Sequence, residues 1–311
     1  MDWLYREFRK RHPEIEFEVV QVAGGAQDNG QKLMAELAAG GGPDVLHDTT
    51  YDQVRPGYCL DLTDHIKPWG DRFYPGALAS CTWDGRVFSL PTEYSMVPCI
   101  WNTSLLKRIG KPIPSTFDEY MDVGYALKKI GIPLTNLSVS GGHIFFSILF
   151  GHPGTVEAIR REQWESEPFV RAVEVIKQIR DAHFIPENDI ELQFAGGASL
   201  FQIGRLGHYM NGAWTLINEI TAEGVDPELR KQVAFAPFPA YRGARPIRGW
   251  VATKSALNSR RQATSVFVLP NDPAYFGERS QARALPDMFA AICEGASARG
   301  ALKFFVEALM S

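Results

Sequence analysis

The sequence predicts an α/β protein, because segments of strand and helix character alternate along its first part. Residues 15–22 alternate apolar and polar side chains, which is typical of a strand with one buried face. Residues 31–39 follow as an amphipathic helix that ends at three glycines, and residues 43–46 then read as a short buried strand. This order of elements indicates a sheet covered by helices, with at least some parallel strands.

Local signals extend this pattern along the rest of the chain. Asp84 and Gly85 stand between two short apolar runs and predict a hairpin turn. Ser115 or Thr116, with an acid three residues later, predicts a capped helix that runs to about Lys129. The remaining predicted strands are 98–102, 207–211, 233–239 and 249–253, and the remaining predicted helices are 1–12, 169–182, 194–205, 285–293 and 298–310.

Composition excludes several classes of function. With 311 residues the chain is long enough for two cores, and its net charge of −4, without a basic stripe, argues against nucleic-acid binding. No apolar run reaches the roughly 18 residues of a membrane span. No signal segment is visible, so either it has been removed from this numbering or the chain is cytoplasmic.

The cysteines predict neither a zinc site nor a redox motif. Cys59, Cys81, Cys99 and Cys293 form no C-x-x-C pair. We expect isolated buried thiols, and a disulfide is the alternative for an exported protein.

Six short motifs follow one another between residues 37 and 214. They are LAAGGGPDV (37–45), YCLDLTDHI (58–66), GRVFSLP (85–91), WNTSLLKRIG (101–110), PSTFDE (114–119), and FAGGASL (194–200) with MNGAW (210–214). Their order and spacing resemble those of the family 1 extracellular solute-binding proteins, the maltose-binding-protein-like group that delivers ligands to ABC importers. The resemblance covers residues 1 to about 258.

The resemblance implies a two-lobed, periplasmic-binding-protein-like fold of type II, with a hinge and a ligand cleft between the lobes. Lobe one is expected to comprise residues 1–102 plus 249–280, lobe two residues 103–248, and the helices of residues 281–311 are expected to pack on lobe two. The hinge crossings are expected near residues 100–103 and 248–251.

Two departures from the family pattern lead us to expect an incomplete member. The family opens with a strand before its first helix, whereas this sequence opens at the helix. The family also has a long helix where residues 258–265 run directly into an apolar segment. Ser265–Leu269 is the candidate to replace the missing strand, since it is an unassigned apolar, β-branched run.

A sugar presents hydroxyl groups and flat apolar faces, so its site requires polar side chains and aromatic rings. Positions after predicted strands supply Gln27 and Asp28, in an expected loop over residues 24–28, and Asp48, Thr49 and Tyr51. The resemblance places Glu93, Tyr94 and Trp214 at the cleft. The candidate ligand-binding residues are therefore Gln27, Asp28, Asp48, Thr49, Tyr51, Glu93, Tyr94, Asn211, Trp214, Arg248 and Trp250.

Other conspicuous side chains are expected to be structural. Trp83 and Trp101 are predicted to lie in the core, and His143 and His152 to cap or pack a helix. No catalytic, cofactor or metal motif is present.

The sequence thus predicts a monomeric, periplasmic or cell-surface protein that binds a small solute, with a sugar as the expected ligand, and catalyses nothing. An ABC permease is its expected membrane partner. Two alternatives stay open. One is a glycoside-active enzyme that uses the carboxylates of Asp48 and Glu93. The other is the effector-binding domain of a regulator, although no helix-turn-helix segment is evident.

Overall fold

The protein is described by a computed structural model that covers most of the chain. The described residues are 2–16, 18, 26–45, 51–73, 75–91, 93–212, 215, 219–221, 224–241, 251–256, 288, 291–292 and 294–310. The chain divides into two units, Met1–Leu46 and His47–Ser311.

The first unit contains α1 (Asp2–Arg11) and α2 (Ala26–Ala38). The helices of the second unit are α3 (Tyr51–Val54), α4 (Thr63–Ile66), α5 (Pro75–Ala79), α6 (Thr103–Arg108), α7 (Phe117–Lys128), α8 (Leu137–Gly151), α9 (Thr155–Arg160), α10 (Glu167–Asp181), α11 (Asp189–Gln202), α12 (Pro227–Lys231) and α13 (Ala298–Met310). Its strands are β1 (Thr82–Trp83), β2 (Arg86–Val87), β3 (Glu93–Met96), β4 (Cys99–Asn102), β5 (His208–Met210), β6 (Val233–Ala236) and β7 (Val251–Ala256).

Strand β4 lies at the centre of a three-stranded antiparallel sheet with the order β5-β4-β6. All four of its residues are at most 1% exposed. Since successive side chains of a strand point to opposite faces, Cys99 and Trp101 face one hydrophobic cluster and Ile100 faces another. The two other described ladders pair β1 with β2 and β3 with β7, both antiparallel.

The larger cluster lies against the Cys99–Trp101 face and includes residues of α7, α8, α10 and α13. Helix α10 contributes Phe169, Val173 and Ile176, whose spacing of three and four places them on one stripe. Helix α13 packs on α10, and the ring of its Phe305 lies 5.5 Å from that of Phe145 on α8.

The smaller cluster covers the opposite face of the sheet. Ile100 and Tyr209 of the sheet pack there with Phe201 of α11, Ile220 and Leu229 of α12. Each fully buried aliphatic or aromatic side chain of this kind contributes about 1.5–3 kcal/mol. The central sheet is therefore buried on both faces.

Several predictions from local sequence are confirmed. Asp84 and Gly85 have φ angles of 50° and 75° at the turn between β1 and β2, as a type I′ turn requires. Thr116 and Glu119 form a complete capping box at the start of α7. The predicted strands at β4, β5, β6 and β7 and the predicted helices at α1, α10, α11 and α13 are present, with ends shifted by a few residues.

Two predictions in the first unit are wrong. Residues 43–45 form no strand and are exposed, with Val45 86% exposed, so they lack the pairing and burial that hold a strand. Gln27 and Asp28 lie in the first turn of α2 and not in a loop, because α2 begins at Ala26. Of the predicted strand 15–22, residues 15–16 are exposed and outside any strand, and residues 17 and 19–22 lie outside the described residues.

The lobe assignment stays a prediction. Strand β4 hydrogen-bonds with β5 and β6, so the sheet expected for lobe two starts at Cys99, three residues before the expected end of the first part of lobe one. The segment 258–265 and Ser265–Leu269 lie outside the described residues, and so does most of the predicted helix 285–293, of which residues 288 and 291–292 are helical.

One buried carboxylate joins two helices. Oδ2 of Asp189, at the start of α11, accepts hydrogen bonds from the backbone N–H groups of Leu137 (2.9 Å) and Ser138 (2.8 Å) at the start of α8. Asp189 is only 5% exposed. Burial raises the pKa of Asp189 from 3.8 to about 6, although the two hydrogen bonds act in the opposite direction.

We predict that Asp189→Asn removes part of the pH dependence of stability. The pKa of Asp189 is higher in the folded state than in the unfolded state, so protonation of Asp189 stabilises the fold. This stabilisation is complete below pH 3.8 and is lost as the pH rises through about 6. Relative to Asp189→Asn, the free energy of unfolding of the unaltered protein should fall by about 1–3 kcal/mol between these two pH values. Urea unfolding at several pH values measures the difference. Asp226→Asn, an exposed cap of α12, is the control, and parallel pH profiles for Asp189→Asn and the unaltered protein would contradict the prediction.

We predict that Gly207→Ala is destabilising because there is no space for a methyl group. A Cβ atom at Gly207 would lie 2.5 Å from Cδ1 of Leu127 and 2.9 Å from the backbone oxygen of Leu134. Overpacking of this kind costs about 1–3 kcal/mol. Gly70→Ala is the control, since its nearest contact is an ordinary 3.7 Å from Ile66. Equal urea midpoints for Gly207→Ala and Gly70→Ala would contradict the prediction, because they would show that the backbone before β5 moves without loss of stability.

Candidate functional site

The candidate site lies where β5 and β6 end and β4 begins. Because β4 is antiparallel to both neighbours, Met210 and Ala236 lie opposite Cys99 at one edge of the sheet. Ligands of α/β proteins commonly bind at the carboxyl ends of strands, where backbone direction changes and side chains converge. The chain beyond β5 contains Asn211, one of the predicted ligand residues.

Asn211 is the centre of a hydrogen-bonded network. It is 1% exposed, its Oδ1 accepts from the backbone N–H of Gly212 (2.8 Å), and its Nδ2 donates to the hydroxyl of Tyr209 (3.2 Å). Asn211 also hydrogen-bonds with the imidazole of His143 on α8. Its polar atoms are thus bonded within the protein, and direct contact with a ligand stays a prediction.

Two ionisable groups bound to this network have raised pKa values. The hydroxyl of Tyr209 hydrogen-bonds with the carboxyl group of Glu219. Burial raises the pKa of Glu219 to about 7, and the hydrogen bond from Tyr209 acts in the other direction. Burial also raises the pKa of Tyr209, and the nearby carboxylate adds to this shift.

His143 remains a neutral imidazole at neutral pH. Removal of its ring from water lowers its pKa to about 4, and the hydrogen bond with Asn211 only partly opposes this shift. The residue keeps part of its surface exposed. A neutral imidazole offers one donor and one acceptor, and one of the two ring nitrogens bonds with Asn211.

An exposed aromatic side chain lies on the same face of the sheet as Tyr209. Phe235 of β6, Ile100 of β4 and Tyr209 of β5 are directly opposite one another, so their side chains share one face. Phe235 is 48% exposed, whereas Ile100 and Tyr209 are fully buried. The row therefore ends in an accessible ring on β6.

The described structure brings together only part of the predicted ligand set. Among those residues, Asn211 is the one whose side-chain surroundings are described. The backbone of Tyr51 begins α3, Glu93 and Tyr94 lie in β3, and Gln27 and Asp28 lie in α2. The predicted residues outside the described part of the chain are Asp48, Thr49, Trp214, Arg248 and Trp250.

The packing role predicted for His143 agrees with its bond to the buried Asn211. Sequence analysis missed three other residues, since Tyr209 and Phe235 lie inside predicted strands and Glu219 carries no motif. They meet through strand pairing and through hydrogen bonds between residues far apart in sequence. For Phe235, an edge strand with an aromatic residue was the available signal.

The structural roles predicted for two tryptophans are confirmed. Trp83 and Trp101 are 4% and 0% exposed and belong to the interior.

Nδ1 of His152 accepts from the backbone N–H of Gly154 (3.1 Å) just after α8, as expected for a capping residue. Cys59, Cys81 and Cys99 are unpaired, Cys59 being half-buried and the others buried.

The described residues contain neither a membrane-spanning helix nor a cluster of metal-binding side chains. None of the described helices combines the length and the apolar character needed to cross a membrane. Histidine, cysteine and acidic side chains form no group of three or more that could hold a metal ion within the described ranges.

Comparison with known proteins identifies the family. Residues 3–269 match the family described as bacterial extracellular solute-binding proteins. The chain belongs to this family. This solute-binding protein is also similar to an uncharacterized ABC transporter extracellular-binding protein of Pyrococcus horikoshii, with 22% identity over 239 residues. That match covers 67% of this chain and 52% of the relative, so the chain spans about half the length of the curated relative that it matches.

Solved structures show the fold class. A structure from work on xylan utilization by Caldanaerobius polysaccharolyticus has a TM-score of 0.76 and 14% identity, covering 98% of this chain and 95% of that one. A probable secreted solute-binding lipoprotein of Streptomyces coelicolor has a TM-score of 0.75 and 18% identity, covering 99% and 93%. Maltose-bound MalE3 of T. maritima has a TM-score of 0.70 and 19% identity, covering 98% and 94%. This solute-binding protein therefore has the two-lobed type II periplasmic-binding fold that the sequence predicts.

Proposed function

We propose that this solute-binding protein binds a small carbohydrate outside the cytoplasm and delivers it to the permease of an ABC importer. The family is described as extracellular. Structures of similar fold include a chitin oligosaccharide binding protein and maltose-bound MalE3. These relatives support a sugar as the ligand class, and the site supports it independently.

The observation that carries the proposal is the combination of groups at the edge of the central sheet. The exposed ring of Phe235 offers a surface for a sugar face, and Asn211, a predicted ligand residue, directly follows β5. Trp214 follows Asn211 by three residues in the sequence and is the proposed second ring. Aromatic surface combined with uncharged donors and acceptors suits a polyhydroxylated, neutral ligand.

The proposed closing motion uses the segment between the two ladders. The β3–β7 ladder ends at the pair Met96 and Val251, and Val97 and Pro98 then lead directly into β4. A connection of two residues between sheets suits a hinge, because hinge motion is absorbed by a few residues at element ends. In the proposed arrangement, lobe closure over the sugar brings Glu93, Tyr94, Asp48 and Trp250 to the ligand.

The alternatives have weaker support. A glycoside-active enzyme would need two carboxylates at a defined separation, and the side chains proposed for it, Asp48 and Glu93, lie outside the described side chains. An effector-binding domain of a regulator would share the fold, so fold alone does not discriminate it. We propose that the protein is monomeric, binds no nucleic acid and leaves its ligand chemically unchanged.

A panel of sugars tests this function. Maltose, raffinose, tagatose, acarbose and chitin oligosaccharides are added separately, and the melting temperature and the heat of binding are measured. A sugar that binds only the folded state raises the melting temperature. At a concentration of 100 times its dissociation constant, it stabilises the folded state by about 2.7 kcal/mol. Chromatography should recover that sugar unchanged. Binding of none of the five would contradict the sugar assignment, and a shortened product would favour the enzyme.

We predict that Trp214→Ala weakens sugar binding more than it lowers stability. Stacked aromatic rings contribute about 0.5–1.5 kcal/mol beyond their buried area, whereas removal of a core tryptophan costs about 3–5 kcal/mol of stability. Calorimetric titration and urea unfolding separate these effects, and Trp214→Phe should retain most of the affinity. A variant that loses stability but keeps affinity would assign Trp214 to the core.

We predict a similar result for Phe235→Ala. Loss of a stacking surface should weaken binding by about 0.5–1.5 kcal/mol, with a small change in stability because the ring is half-exposed. Phe304→Ala on α13 is a matched control, since Phe304 is 49% exposed and Phe235 is 48% exposed. Equal affinities of the two variants in the same titration would remove Phe235 from the site.

A further inference from the structure

The outer edge of β5 is bonded to two different kinds of acceptor. Alternate residues of β5 direct their backbone N–H groups away from β4, because the hydrogen bonds of an antiparallel pair alternate in direction. The N–H of His208 donates to the backbone oxygen of Leu134 at 2.8 Å. The N–H of Met210 donates instead to the side-chain hydroxyl of Ser140, at 3.0 Å. On this edge, the last residue of β5 is therefore held by a side chain of α8.

The hydroxyl group of Ser140 is oriented by two partners at once. It donates its proton to Oδ1 of Asn136, one helical turn earlier, at 3.1 Å. A hydroxyl has one proton and two lone pairs, so a lone pair is left to accept from the N–H of Met210. Ser140 and Asn136 are both 0% exposed, so bulk water does not compete for either bond.

Helix α11 holds this part of α8 at two points. Oδ2 of Asp189 accepts from two backbone N–H groups at the start of α8. Farther along α11, the backbone at Gly197 approaches α8 so closely that a Cβ atom there would lie 2.4 Å from Nδ2 of Asn136. The position of the Ser140 hydroxyl is therefore set by α11 as well as by α8.

The chain beyond Met210 forms two local hydrogen bonds. The N–H of Gly212 donates to Oδ1 of Asn211 (2.8 Å), and the N–H of Thr215 donates to the backbone oxygen of Gly212 (3.0 Å). Asn211 is a predicted ligand residue, and Trp214 lies in sequence between the two residues of the second bond. Because consecutive Cα atoms stay about 3.8 Å apart, a displacement of Met210 also displaces Asn211.

We propose that Ser140 is a positioning residue for ligand binding, because its hydroxyl fixes the end of β5 and, through Met210, the placement of residues 211–215. This inference rests on the proposed function, in which Asn211 and Trp214 contact the sugar. Ser140 itself does not touch the ligand in this arrangement. Without the hydroxyl, the N–H of Met210 would be buried without its acceptor, and the end of β5 moves to relieve that cost.

The first experiment measures amide hydrogen exchange in the unliganded protein. Ser140→Ala should speed exchange at Met210, whose acceptor is removed, and also at Gly212 and Thr215, whose own acceptors are unchanged. The loss of one hydrogen bond corresponds to a roughly two- to tenfold change in the exchange rate. Faster exchange at Met210 alone would mean that the hydroxyl acts on its direct partner only, which overturns the proposal. Unchanged exchange at all three amides overturns it as well.

Ser147→Ala is the matched control. Ser147 lies on the same helix and is 7% exposed, and none of the described hydrogen bonds joins its hydroxyl to the sheet. This variant should leave the exchange of the three amides unchanged. Equal effects of the two alanine variants would assign the result to a general loosening of α8 and overturn the proposal. If Ser140→Ala does not fold, Ser140→Cys, which keeps a weaker acceptor of similar size, should show the same changes to a smaller extent.

The second experiment measures affinity by calorimetry, with maltose and the other four sugars of the panel as probes, at a temperature where both variants are fully folded. Ser140→Ala should weaken binding roughly two- to tenfold, and Ser147→Ala should not. If none of the five sugars binds, the proposed function fails, while the exchange rates still decide whether Ser140 positions residues 211–215. A sugar that binds Ser140→Ala and the unaltered protein equally well overturns the link to the ligand.

Discussion

The second unit depends on the complete burial of one strand. Strand β4 is hydrogen-bonded on both edges and enclosed on both faces, so none of its four residues has a route to water. Each polar backbone group must then be satisfied by the neighbouring strands, which fixes the register of β5 and β6. Asn102 continues this constraint, since its side chain accepts from the N–H groups of Ser104 and Leu105 and starts α6.

The candidate site follows from the same register. A shift of one residue between β4 and β5 would turn Tyr209 away from the smaller cluster and remove it from Glu219 and Asn211. A one-residue shift of β6 would bury or misplace Phe235 in the same way. The stability of the sheet and the arrangement of the candidate site are therefore specified by the same hydrogen bonds, although different side chains are involved.

The sequence predicts those parts of the fold that short-range chemistry determines. Asp84 with Gly85 and Thr116 with Glu119 act within four residues, and both motifs form as expected. The predicted buried strand at Val45 is wrong because an apolar residue was assumed to be buried, and no local sequence pattern indicates its exposure. The bond from Asp189 to the start of α8 and the hydrogen bonds of Asn211 with His143 and of Tyr209 with Glu219 join residues that are not neighbours in sequence, so no local pattern reveals them. Most of the predicted ligand set lies outside the described side chains, so it stays a prediction.

The position of α13 has a consequence for how the protein acquires its structure. Ala301, Leu302 and Phe305 complete a cluster whose first member is Val97, and they pack against α8 and α10. During synthesis, that cluster remains open to water until this last helix has emerged, because no earlier segment occupies its place in the packed core. Contacts of such long sequence separation slow folding, and exposed apolar surface persists meanwhile.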